Sequence, residues 1–249
     1  MNKVISYLRR SLVPVLGILS AAVLFTACLK DKDDNNTDIP AAGLMAFNLA
    51  PDQESIAITL SDNWLTQQPL GYTSYNGVYQ NIYTGNREVT SYDYPATDPL
   101  ATVNHNFEDS LYYSLFVVGY DDNYRNVIVT DNFDSLSASS GKAYVRYINA
   151  VADSVNASAV TIAKGGSNVV SDNASFGHVS DFTAVDPGEI SVAIKQGSAI
   201  DASRNITVEE KKVYTVLLIG VPGATDENKK VQIRFVNNGT LTDEDGGGQ

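Results

Sequence analysis

Two histidines, His105 and His178, one cysteine, Cys28, and 29 acidic side chains are the groups in this 249-residue chain whose types could do chemistry. A zinc site needs several N or S ligands at close spacing, and a Ser/His/Asp triad needs a histidine oriented by an acid. Neither histidine has a second His or a Cys at ligand spacing. No Gly-rich phosphate loop and no HExxH or GxSxG motif is present. A glycosidase requires only two acids about 5 to 9 Å apart, from anywhere in the chain. Here the acids gather in Asp121-Asp122-Asn123 and Thr225-Asp226-Glu227-Asn228, where turn geometry accounts for them, and calcium-loop spacing is absent. The chain therefore reads as non-enzymatic, with no catalytic residue, metal or cofactor, and a cryptic glycoside hydrolase as the remote alternative.

Cys28 stands alone, so it cannot form a disulfide within the molecule. Ahead of it, Lys3, Arg9 and Arg10 precede an uncharged, Leu/Val/Ile/Ala-rich stretch from Leu12 to Phe25, the basic and apolar regions of a signal peptide. Pro14 and Gly17 make the same stretch a mediocre membrane span. Leu24-Phe25-Thr26-Ala27-Cys28 resembles the lipobox of bacterial lipoproteins, which implies removal of residues 1–27 and acyl chains on Cys28. At about 0.8 kcal/mol per buried methylene, two or three such chains anchor a protein stably. Residues 28–42 are polar and acidic and read as a flexible tether. Lys30-Asp31-Lys32-Asp33-Asp34 resembles the export signal of Bacteroidetes lipoproteins, so the expected place is the outer membrane, facing the cell surface. The formal charge of −12 repels nucleic acid and anionic headgroups, leaving the lipid on Cys28 as the link to a membrane.

Aromatic side chains are unevenly spread. Tyr72, Tyr75, Tyr79, Tyr83, Tyr92 and Tyr94 crowd one segment, with Trp64 just before it. Rigid amphipathic rings serve sugar- and protein-binding faces. Asn76-Gly77 is a strong hairpin signal, because both residues tolerate positive φ. With those two as the turn, alternation turns Tyr75, Val78 and Ile82 to the core and leaves Tyr72, Tyr79 and Tyr83 on a solvent-side patch beside Trp64, the candidate face for a glycan or protein ligand. On that register Tyr79→Ala should cost little and Tyr75→Ala much.

These side chains must be held by strands. Past Ala42, short apolar runs such as Ser55–Leu60, Leu111–Gly119, Val127–Thr130, Glu189–Lys195 and Val231–Val236 alternate with Gly, Asn, Asp and Pro, which predicts an all-β fold. The chain also repeats itself. Sliding it by 101 positions lays Phe47-Asn48 on Ile148-Asn149, Asp52 on Asp153, Tyr113 on Tyr214 and Leu115–Gly119 on Val216–Gly220. Two tandem β-sandwich domains follow, over residues 43–136 and 141–242, joined by the small-residue stretch Ser135–Gly141 and followed by a disordered tail, 243–249. Each half, cut at 138/139, is expected to fold alone.

Asn48-Leu49-Ala50-Pro51-Asp52, Ile56-Ala57-Ile58, Gly188–Val192 and Lys212–Gly220 together resemble the bacterial extracellular domain of unknown function 4397. The resemblance implies an immunoglobulin-like or transthyretin-like sandwich in a surface lipoprotein and brings no catalytic residues. Asp109-Ser110-Leu111, Asp134-Ser135-Leu136 and Asp153-Ser154-Val155 resemble Bacteroidetes O-glycosylation sites. The functional expectation is a binding or display module for a glycan or protein partner, with a structural spacer or envelope-assembly subunit as the rival.

Overall fold

The computed structural model describes residues 39–152 and 156–242. The signal peptide, Cys28, most of the expected tether, Asp153-Ser154-Val155 and the tail lie outside the described residues.

The fold is all-β. The first repeat runs β1 (Ala41–Asn48), β2 (Ser55–Leu60), β3 (Asn63–Trp64), β4 (Leu70–Gly71), β5 (Gln80–Tyr83), β6 (Gly85–Asp93), β7 (Pro99–Phe107), β8 (Tyr112–Tyr120) and β9 (Asn123–Thr130). The second runs β10 (Ala143–Val151), β11 (Ser158–Lys164), β12 (Ser167–Ala174), β13 (Thr183–Val185), β14 (Gly188–Gln196), β15 (Ile200–Val208), β16 (Lys212–Gly220) and β17 (Gln232–Thr240). Each repeat builds two sheets of its own. In the first the orders are β5-β1-β8-β9 and β3-β2-β6-β7, with β4 added on β2; in the second they are β13-β10-β16-β17 and β12-β11-β14-β15. In both, the first strand pairs parallel with its partner, β1 with β8 and β10 with β16, and in the same register.

The repeated residues hold equivalent turns. The side-chain amide of Asn48 donates to the carbonyls of Gln53 and Leu70 and its oxygen accepts from Ala50 N–H, while Asn149 donates to the carbonyl of Ala174 and accepts from Val151 N–H. The Tyr113 hydroxyl accepts from Glu108 N–H at 3.0 Å and the Tyr214 hydroxyl from Glu209 N–H at 3.1 Å. Gly119, one residue before the end of β8, and Gly220, the last residue of β16, have positive φ, and a Cβ on Gly119 would stand 2.5 Å from the carbonyl oxygen of Asn123.

Each sandwich has its own core, one around Leu44, Ile58, Val89 and Leu115, the other around Tyr147, Ile162, Val192 and Val216. A third apolar layer lies between them. Met45, Phe47, Leu49, Phe116 and Val118 pack against Ile148, Ala150, Leu217 and Ile219, so the sheets carrying β1 and β10 are covered on both faces. Two-sided burial explains why Leu115-Phe116-Val117-Val118 and Val216-Leu217-Leu218-Ile219 are apolar without a break. The unit from Pro40 onward is thus four sheets deep.

Two expectations about the edges of the repeats are corrected. β1 already starts at Ala41 and Ala42 is buried, so the tether ends before residue 42. The stretch from Ser135 to Gly141 does not run loose. It folds into 3-10 turns at Phe133–Ser135 and Ala138–Ser140, and Phe133, Leu136 and Ala138 pack on Tyr144, Val213 and Leu241.

A seam and a groove: candidate functional sites

The aromatic segment is not a hairpin. Residues 80–83 pair antiparallel with the start of β1, and Tyr75 bridges Phe47 farther along the same strand. The chain between them bulges, and the side chain of Asn76 takes over the ladder: its oxygen accepts from Ala46 N–H at 3.0 Å and its amide donates to the carbonyl of Leu44 at 3.2 Å. The second repeat makes the same detour with Ser180, whose hydroxyl accepts from Tyr147 N–H, next to a bridge between Val179 and Ile148. An interrupted edge strand replaces the expected type I′ turn, because Asn76 has a backbone to bind that is distant in sequence.

This path separates the four expected ligand-binding residues. Tyr72 and Tyr79 pack into the layer between the sandwiches, not on a solvent-side patch. Tyr75 joins them there and stacks on Phe47 with ring centroids 5.3 Å apart. Val78, expected inside, is exposed, while Ile82 is buried as expected. Tyr83 is 63% exposed on the β5 edge, with the Arg87 guanidinium over its ring. Trp64 is 60% exposed on the far sheet of the first sandwich. No single face unites them.

Tyr79 belongs to a buried polar network that crosses the seam. Its hydroxyl donates to Asp131 Oδ2, which also accepts from Ser114 Oγ at 2.7 Å. Asp131 Oδ1 accepts from Arg146 Nη1, while Arg146 Nη2 donates to Ser114 Oγ and its Nε to Thr215 Oγ1. Thr215 Oγ1 in turn donates to Asn238 Oδ1, and Asn238 Nδ2 donates to the Tyr79 hydroxyl. Burial and the neighbouring Asp131 carboxylate push the Tyr79 hydroxyl far above the ordinary phenol range. Tyr72 is pushed up to about 12 by burial, against a small opposing pull from Arg234. Arg146 and Asp131 are 2% and 3% exposed, and the network joins the two repeats.

Trp64 sits differently. β3 pairs its backbone with Thr59 of β2, and its ring meets the edge of Tyr92, which stands opposite Ala57 on the outer face of the same sheet. At the other end of β2, Tyr94 N–H donates to the Ser55 carbonyl and fixes a second exposed ring. Between Trp64 and Tyr94, Thr66, Gln67, Gln68 and Pro69 complete an open groove of about 370 Å³ floored by Ala57. Tyr92 and Tyr94 were visible in the tyrosine-rich segment, but only strand pairing brings them to Trp64.

The acid clusters are turns. Asp121 and Asp122 both have positive φ between the paired Tyr120 and Asn123, and Asp226 accepts from Asn228 N–H within its own loop. His105 packs its ring on Phe107 and Tyr113, and burial lowers its pKa. Among the described residues no three His, Cys, Asp or Glu side chains gather where they could hold a metal ion.

Residues 143–244 match the family described as Domain of unknown function (DUF4397), so the second repeat is a DUF4397-like domain. No match exists among the curated proteins. Among solved structures the chain is similar to CBMbc (family CBM26) from Eubacterium rectale Amy13K in complex with maltoheptaose, at 9% identity and a TM-score of 0.23, covering 82% of this chain and 98% of that one. It is also similar to a cell-adhesion candidate from Bacteroides eggerthii, at 11% identity and a TM-score of 0.20, covering 79% and 94%.

Proposed function

We propose that this protein is a non-enzymatic surface module, held to the outer membrane by lipid on Cys28, that binds carbohydrate in the groove between Trp64 and Tyr94. The observation that carries the reading is the placement of the chain's one tryptophan. An indole left 60% exposed, beside a second exposed ring and two glutamines, forgoes burial that folding normally favours. Flat aromatic faces stack on sugar rings, and amide side chains offer a donor and an acceptor to sugar hydroxyls. The four-layered body behind the groove presents it on paired strands.

Because Trp64 is the only tryptophan, emission of the full chain in detergent, excited selectively at tryptophan, reports on the groove. Titration with a panel of oligosaccharides should shift that emission saturably, and the absence of a shift with any of them would count against a carbohydrate ligand. The anchor is tested separately: Cys28→Ala should abolish partition into detergent. A second reading, a rigid spacer, draws support from the seam between the repeats and expects no ligand-dependent change at Trp64.

A further inference from the structure

The geometry points to a neutral oligosaccharide, rather than an acidic glycan or a single sugar, as the occupant of the Trp64–Tyr94 groove. This deepens the proposed function and rests on its reading of that groove as a carbohydrate site. Three observations carry it.

The first is charge. The lining holds no Asp, Glu, His, Lys or Arg; Gln67 and Gln68 supply side-chain amides. Recognition of a uronate, sulfate or sialate carboxylate calls for Arg or Lys, which form charge-assisted hydrogen bonds with such groups. The chain's net charge of −12 adds a repulsive field to that lack of a partner. A neutral sugar meets neither penalty.

The second is length. Trp64 is in register with Thr59, and Tyr94 is hydrogen-bonded to Ser55, so the two exposed rings are anchored four residues apart along β2. At about 3.3 Å per strand residue the two backbone anchors stand about 13 Å apart along β2, longer than one pyranose ring. A single sugar can stack on one platform only. An oligosaccharide reaches both.

The third is a hydroxyl without a partner. Thr66 Oγ1 is buried beside the groove with no hydrogen bond. An unsatisfied buried hydroxyl is costly, so a rotation about χ1 that turned it toward a sugar hydroxyl would be favoured once a ligand lay in the groove. Asp52 and Tyr72 also carry an unpartnered buried oxygen, but neither borders the groove.

The test titrates the full chain in detergent, following tryptophan emission and calorimetry, with three sets of probes. These are neutral hexasaccharides (maltohexaose, cellohexaose, xylohexaose), acidic oligomers (oligogalacturonate, hyaluronan fragments) and the monosaccharides glucose and xylose. At least one neutral hexasaccharide should bind about tenfold or more tightly than any monosaccharide or acidic oligomer, and Trp64→Ala and Tyr94→Ala should each weaken it about tenfold. Calorimetry serves Trp64→Ala, which has lost the fluorophore. Gln68→Lys should narrow the gap between acidic and neutral probes by adding the missing cation. Acidic oligomers binding as tightly as neutral ones, with loss on Trp64→Ala, would overturn this inference and leave the carbohydrate site standing. A monosaccharide binding as well as its hexamer would overturn the length argument in the same way. Binding of no probe, or binding indifferent to Trp64, would overturn the site itself.

Discussion

Where β10 faces the seam it presents Arg146, and where β1 faces it, at the equivalent place 101 residues earlier, it presents Met45. Each side chain reaches the strand end of the other repeat. Arg146 meets Asp131 just past β9, and Met45 Sδ lies 3.9 Å from Asn238 Nδ2 on β17. Ser114 and Thr215 stand next to them at matching positions of β8 and β16. The two contacts are related by the internal repeat, yet one is an ion pair and the other a neutral thioether–amide contact. A similar substitution separates Tyr79 from Phe182, which lie at the ends of the two bulges: the tyrosine donates to Asp131, and the phenylalanine lies under the Arg146 guanidinium at 4.4 Å. One backbone arrangement therefore tolerates either a charged or a neutral contact at equivalent places of the seam.

The largest effect should come from removing one side of the comparison altogether. Residues 41–138 produced without 139–249 would expose Met45, Phe47, Leu49 and Phe116, and the complementary half would expose Ile148, Leu217, Ile219 and Arg146. Each half alone should aggregate or self-associate, and the two should recover a cooperative melt when mixed. Two separately monomeric halves with sharp melts would show that the seam contributes little, as the sequence alone suggested.

Next is the ion pair. Arg146→Met leaves Asp131 buried without its cation and should destabilise by about 3 to 5 kcal/mol. Combining it with Asp131→Asn copies the neutral contact onto the charged side and should recover most of that loss, since a buried ion pair replaced by packed neutral groups is often tolerated. Chemical denaturation of the two single variants and the double variant measures the coupling. Additive losses would mean that the two contacts are not equivalent.

Tyr79→Ala should cost about 3 kcal/mol, because it empties a ring site against Tyr112 and Phe133 and strips one donor from Asp131. Tyr83→Ala, on the exposed edge, should cost under about 1 kcal/mol. Equal effects would contradict the placement of Tyr79 in the seam.

The smallest effect is pH-dependent and belongs to the first repeat. Burial lowers the His105 pKa in the folded chain, so the unfolded chain takes up that proton first. Stability should therefore fall as pH drops below the unfolded histidine value of about 6.5, and the slope should end once pH passes the lower folded value. His105→Gln should flatten the melting temperature over that window. A variant with the same slope would assign the dependence to other groups.

Much of the fold was legible. The strands announced themselves by short β-branched runs, and the offset between repeats placed Asn48 on Asn149 and Tyr113 on Tyr214, pairs that do make equivalent bonds. The candidate site was legible only in part. Trp64 is exposed as expected, whereas Tyr72 and Tyr79 are packed in the seam. A signal for that seam was present in the unbroken apolar runs of β8 and β16, since a strand wet on one face would alternate.

From the sequence alone come the all-β class, the two copies and the turn residues that repeat with them, because pleat, turn chemistry and period are local properties of a chain. Which surface covers the second face of β1 and β10 is not local. Met45, Phe47 and Ile148 are as apolar as core residues of either sandwich, and only the packed molecule shows that they meet one another. The path of the tyrosine segment was decided the same way. Asn76-Gly77 suits a tight turn locally, but Asn76 finds donors and acceptors on β1, about thirty residues earlier in the chain, and the bonds it makes there keep the segment on the sheet edge. A side chain that can bind either its own turn or a distant strand has its conformation settled by whichever backbone the tertiary fold brings within reach.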